Sequence, residues 1–349
     1  MAQINKPTDY FDTKLWSGAS GDLNITGLDF QPDFVWLKSR NTTGADHKLV
    51  DVVRGNSKGL KSNETEVEST DVEGIQSFNS DGYTLGDNDG NYNRVGRTYV
   101  GWSWLAGGTA SSNTDGSITS SVSANTTAGF SIVSYTGTGA NATVGHGLGS
   151  APKVVIVKTR DAARDWTVYH GGISNMASGY IILNASDAFS TAFSTIWNNT
   201  NPTSSVFSVG TANTSNNLNS NYIAYCFAEK KGFSKFGSYV GNGTTGVDGA
   251  GDGTFIYTGF KPSMIIIKPT STTGNWQILD NKRPGFNESD NLAPNNNVAE
   301  NTSNDFVDLV SNGFKLRSGT YSASGVTYIY MAFAEQPLVG TNNIPATAR

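Results

Sequence analysis

Three histidines, His47, His146 and His170, are the side chains best suited by type to acid–base work near neutrality. Only His170 falls at a position that recurs along the chain, and its counterparts there are Asp51 and Asp280. A position that switches between His and Asp supports no shared proton transfer. His146 sits in Gly145-His146-Gly147-Leu148-Gly149, a pattern that predicts a flexible, solvated turn. No HExxH, G-x-S-x-G, P-loop or paired zinc-ligand spacing occurs. A carboxylate pair for glycoside hydrolysis would come from distant positions and leave no local signature. The single cysteine, Cys226, lies between Tyr225 and Phe227, which predicts a buried, inert thiol and leaves no partner for an intrachain disulfide. The expectation is a chain that is not an enzyme.

Binding groups are more suggestive. Asp87-Asn88-Asp89-Gly90-Asn91 has the oxygen-rich character of a calcium loop but lacks the bidentate Glu and flanking helices of an EF-hand, so Ca2+ is the one cofactor worth considering. Gly241 to Gly246 and Asp248 to Gly253 lack the Gly-Lys-Ser/Thr of a phosphate loop and read as one long hairpin loop. Trp166 and Trp276 lie in strand-like register and are expected in the core. Tyr92 and Tyr321, in polar loops, are the candidate glycan contacts, stacking on sugar rings beside Asn and Asp side chains.

These residues are positioned by a repeat. A Pro six residues before a Lys, with an apolar run between, occurs as Pro32 to Lys38, Pro152 to Lys158 and Pro262 to Lys268. The runs Phe34-Val35-Trp36-Leu37, Val154-Val155-Ile156-Val157 and Met264-Ile265-Ile266-Ile267 predict strands buried on both faces. The lysine is expected to close each run with a charge that discourages edge pairing, with no role in binding. An aromatic two residues before a Gly opens each unit, at Trp16, Tyr135 and Tyr239. Ser80-Asp81-Gly82 and Ser311-Asn312-Gly313 predict tight hairpin turns, which Ser204-Ser205-Val206 in the middle unit does not repeat. The closing strands start at Tyr99, Tyr222 and Tyr328 and alternate small with large residues, as a strand covered on both sides would.

The predicted fold is therefore all-β, with three tandem β-sandwich or jelly-roll-like repeats at residues 10–106, 129–229 and 232–335, and a C-terminal tail at 336–349. Ser186 to Trp197 is the one stretch considered for a short helix, and its Ser and Thr content argues against it. Residues 107–128, rich in Gly, Ser and Thr, read as a flexible or loosely packed linker. Only Lys230-Lys231 separates the second and third units, so those two are expected to dock rigidly.

Charged residues make up 15% of the chain against a usual ~25%, so amides and hydroxyls carry its solubility. A net charge of -5, with no cluster of Lys and Arg, disfavours nucleic acid. No apolar run approaches a membrane span, and the N-terminal residues have no signal-like core, so neither membrane insertion nor cleaved-signal export is expected.

Tyr10 to Gly18, Gly27 to Lys38, Gly129 to Val133 and Tyr330 to Pro337 together resemble a repeat found in structural proteins of marine bacteriophages. The similarity spans nearly the whole chain. It departs where the second unit lacks the Asp/Asn-Gly turn and where the first carries one extra residue before His47. The resemblance implies a virion surface component, tail-fibre-like or a head decoration, assembled in the host cytoplasm, with no catalytic residues to carry over. Its expected partners are other virion proteins and further copies of itself as a homo-oligomer. Attachment is expected on the first unit, with the linker holding the rest outward. Low charge suits seawater, where screening acts over roughly 3–5 Å. The competing expectation is a glycan-binding adhesin that contacts host surface polysaccharide through loops of the second and third units.

Overall fold

The repeated apolar runs form inner strands at Phe34–Ser39, Val154–Thr159 and Phe260–Pro269 in the computed structural model, which describes residues 3–244, 251–283, 290–303, 305–340 and 345. Residues 245–250 of the expected glycine-rich hairpin loop, and most of the expected tail beyond 340, lie outside the described residues. On one side each inner strand pairs with a closing strand, Thr98–Trp104, Asn221–Phe227 or Thr327–Pro337. On the other it pairs with an outer strand, Lys48–Asp51, Thr167–His170 or Gln277–Asp280. Opening strands Phe11–Ser17, Phe130–Thr136 and Ser234–Val240 pair with the free side of the closing strands. One antiparallel order, opening, closing, inner, outer, thus occurs in three sheets. The protein is all-β. The α-helix found among the described residues is a single turn, Asn213–Asn216, and 186–197 contains none.

A smaller sheet covers one face of each four-strand set. It consists of Leu23–Ile25, Gly82–Leu85 and Ile75–Asn79 in the first unit and of Phe255–Tyr257, Gly313–Leu316 and Val307–Val310 in the third. In the second unit it shrinks to Ala142–Gly145 and Val206–Val209. The hairpin turns Ser80-Asp81 and Ser311-Asn312 fall where the sequence predicts them, between paired Asn79 and Gly82 and between paired Val310 and Gly313. Their glycines answer to a different constraint than turn dihedrals. A Cβ on Gly82 would sit 1.8 Å from the Ile25 carbonyl oxygen, and one on Gly313 would sit 2.0 Å from that of Ile256. Gly313→Ala must push two strands apart, and urea denaturation is expected to show a loss of about 1–3 kcal/mol.

Strand alternation explains why both faces of the inner and closing strands are apolar. Val35 and Leu37, Val155 and Val157, and Ile265 and Ile267 face their own small sheets. Phe34 and Trp36, Val154 and Ile156, and Met264 and Ile266 all enter one core shared by the three units. At its centre three residues from one repeat position meet. Ring centroids of Trp104 and Phe227 lie 6.3 Å apart, those of Trp104 and Phe333 5.5 Å, and those of Phe227 and Phe333 5.8 Å. The three sheets therefore surround a common aromatic axis, and docking is not limited to the second and third units.

The segment expected as a linker is built into the second unit. Ser120–Asn125 pairs with the opening strand Phe130–Thr136, and Ser111–Asn113 pairs with Ser120–Asn125 in turn. Ile118 and Val122 are buried in that unit's core. Polar composition concealed a period-two pattern in which Val122 and Ala124 alternate with serines that are compatible with a sheet edge. The first unit is therefore not set apart for attachment by a slack joint. At the other end, Gln336 and Pro337 of the expected tail complete the last closing strand.

Candidate functional site

The candidate glycan tyrosines are not at the surface. Tyr92 is 0% exposed, with its hydroxyl donating to Asp71 Oδ2 at 2.5 Å and Lys48 Nζ 5.8 Å from its ring. Tyr321 is 6% exposed and packs edge-on against Phe306 and Tyr328. Polar neighbours in sequence suggested exposure for both, but each ring fills the space under its own loop. Trp166, Trp276 and Cys226 are buried as expected. The oxygen-rich loop at Asp87–Asn91 is occupied by its own chain: Asp87 Oδ1 accepts from the Gly21 amide and Asp89 Oδ1 from the Asn91 amide. Arg94 and Arg97 donate to the carbonyls of Asn88 and Gly90, placing guanidinium groups at the oxygens a cation would need. Among the described residues no group of three or more His, Cys, Asp or Glu is arranged for a metal.

All three histidines are buried and held neutral. His146 is 0% exposed, which corrects the expected solvated turn. Its Nδ1 accepts the Leu148 amide and its Nε2 donates to the Thr203 carbonyl at 3.1 Å, and burial lowers its pKa. Burial likewise pushes His47 well below its ordinary value and His170 down to about 4.

Repeated polar residues instead fasten the units head to tail. Asp51 Oδ2 of the first unit binds Arg54 Nε at 2.6 Å and accepts the Tyr225 hydroxyl of the second at 2.8 Å. Arg54 continues to Glu68, which Arg160 of the second unit grips with two bonds of 3.0 Å. The third unit repeats this against the first: Asp280 Oδ2 binds Arg283 Nε at 2.7 Å and accepts Trp102 Nε1 at 2.9 Å. Arg283 reaches Glu300, which Arg40 of the first unit holds at 2.8 Å. Burial alone would raise the pKa of Glu68, yet Arg160 and Arg54 together hold it below the usual carboxylate range. At the remaining seam His170 Nε2 donates to the Tyr330 carbonyl at 3.1 Å, and among the described residues no Asp-Arg-Glu-Arg chain is found there. The signal for these clusters was present as Asp-x-x-Arg in the outer strands, with Arg40 and Arg160 two residues after the repeated lysine. The middle unit masks it with His170 and Ile173, and the third with Thr270.

Two of the repeated lysines also belong to the seams, while Lys38 Nζ donates to the Ser39 carbonyl of its own unit. Lys38, Lys158 and Lys268 are each 0% exposed, so they cannot guard an open edge as expected. Lys158 Nζ donates to the Thr65 carbonyl of the first unit, and Lys268 Nζ to those of Ser186 and Asp187 of the second. Burial lowers all three to a pKa of about 8. Between that value and the unfolded-state value near ~10.5 the unfolded chain binds more protons, so stability rises with pH across this window and falls as pH drops through about 8. Lys158→Met removes one such group. Urea denaturation at about pH 8 and about pH 9.5 is expected to show the stability gain shrinking by about 1–2 kcal/mol in the variant.

Open clefts remain on the second unit, where the small sheet is reduced. One of about 560 Å³ is lined by Lys153, Tyr169, Asn175, Asn199 and Asn201 among others. Asn175, Asn198 and Asn199 at or beside it adopt left-handed backbone conformations, which asparagine tolerates. A second, of about 390 Å³, includes Asp165, Thr167, Tyr180, Phe193, Asn213 and Thr214. Phe193 was missed because it lies in the stretch weighed only as a helix.

A family model described as a domain of unknown function, DUF7483, matches residues 6–337. No curated protein and no solved structure matches the chain. Because the match runs through all three sheets and the strands that join them, the chain belongs to the DUF7483 family as one continuous module.

Proposed function

We propose that the chain is a non-catalytic structural protein on the surface of a bacteriophage particle, as part of a tail appendage or as a head decoration. The observation that supports this best is the fate of its repeated ionisable groups. The Asp-Arg-Glu-Arg chains, with Lys158 and Lys268, join one unit to the next, and their Asp51–Arg54 and Asp280–Arg283 pairs and both lysines are buried there. Such groups fix a shape and do not turn over a substrate. A body so fastened suits a load-bearing part, and buried bridges are screened by salt far less than exposed ones. The resemblance to marine phage structural repeats points the same way. Its partners would be other virion proteins and copies of itself, assembled in the host cytoplasm.

Antibody labelling of purified particles under the electron microscope tests this. Label at a regular surface position is the expected result. A protein abundant in infected cells but absent from purified particles contradicts the reading. A second reading, a glycan-binding adhesin, is favoured by the clefts of the second unit, which lie where its loops depart from the repeated scaffold.

A further inference from the structure

Phe193 is 60% exposed, more than any other aromatic ring among the described residues. Its exposed apolar face borders a cleft and is available there to a ligand. The ring packs against Tyr180 at 5.8 Å between centroids and 41° between planes, and both line the cleft of about 390 Å³. Polar groups line the same cleft. Thr167 is 0% exposed, and its Oγ1, like that of Thr214, has no hydrogen-bond partner among the described residues. Buried hydroxyls are ordinarily satisfied, and these two, turned away from solvent, would meet a ligand in the cleft only after a side-chain rotation. Asp165 Oδ1 is held by Asn184 Nδ2 at 2.8 Å, which leaves Oδ2 to accept from a ligand. Asn213 adds an amide.

A pair of aromatic rings beside hydroxyl, amide and carboxylate groups complements a pyranose, which has an apolar C–H face and a rim of hydroxyls. A carboxylate with no Lys or Arg in the lining disfavours an acidic sugar. The volume falls within the range typical of small-molecule sites. We propose that this cleft binds a neutral pyranose unit of a surface polysaccharide. The inference rests on the adhesin reading of the second unit and is independent of where the chain sits in a particle.

Saturation-transfer NMR on the full chain, with methyl glycosides of glucose, galactose and mannose and with glucuronic acid as the charged control, tests it. Transfer from aromatic protons to at least one neutral glycoside is expected. Phe193→Ala should weaken that binding about tenfold, since stacking supplies much of the affinity, with the melting temperature unchanged. Thr214→Val, which removes only a hydroxyl, should weaken it by about fivefold. No transfer to any neutral glycoside, equal binding of glucuronic acid, or undiminished binding in both variants overturns the proposal. A chain located on particles that shows no sugar transfer sinks the sugar site alone, and Phe193 covered there by a neighbouring chain would give the ring to a protein contact. Sugar binding by a chain absent from particles sinks the virion role alone.

Discussion

Phe333→Ala is expected to destabilise the whole chain by about 3–5 kcal/mol, although the residue belongs to the third unit. The ring is 1% exposed and touches Phe11 and Trp104 of the first unit, Phe227 of the second, and Phe233 and Phe236 of its own. Truncation removes the transfer free energy of a phenyl ring and leaves a cavity that three sheets, pinned by hydrogen-bonded seams, have little freedom to close. Urea denaturation followed by tryptophan fluorescence reads the effect, because Trp104, Trp166 and Trp276 report from the three units. A single transition shifted to lower urea is expected. Independent units would instead leave the first and second transitions where they are in the parent protein.

Asp280→Ala should cost a similar amount, about 3–5 kcal/mol, by a different route. The substitution removes no large apolar volume. It strands the fully buried Arg283 guanidinium, whose Cζ lies 5.6 Å from the Trp102 ring centroid, and leaves Trp102 Nε1 without its acceptor. Glu300 still faces Arg283, but it is shared with Arg40 and cannot replace the lost contacts to the Nε edge. Because the pair is shielded from solvent, the loss should persist at about 1 M salt, where an exposed bridge would already be screened in the parent protein. Asp51→Ala at the equivalent seam is expected to behave alike. Equilibrium denaturation at low and high salt measures both, and a loss that vanishes at high salt would contradict the buried-seam account.

Much of the scaffold could be read in the sequence because it is built from local periodicity. The runs ending at Lys38, Lys158 and Lys268 are apolar without alternation, and both faces of each are covered in the structure. Large and small residues alternating from Tyr99, Tyr222 and Tyr328 likewise marked strands between two layers. What covers the second face was not legible, since contact between Trp104, Phe227 and Phe333 leaves no pattern within any one unit. The same gap misassigned the lysines and residues 107–128: a charge or a Ser/Thr stretch viewed alone reads as surface, whereas its partner strand or carbonyl lies far along the chain. Tyr92 and Tyr321 failed for a related reason, because a polar loop can fold over its own aromatic ring. The cleft around Phe193 was hidden in the one stretch where the repeat breaks down, which is also where the three units stop sharing their residues.

Amide hydrogen exchange of Phe333→Ala against the parent protein tests the shared core most directly. If the three sheets unfold as one body, protection must fall by the same free energy in the inner strands Phe34–Ser39, Val154–Thr159 and Phe260–Pro269. Loss confined to Phe260–Pro269, with the other two strands protected as before, would mean that the units are separate domains merely in contact.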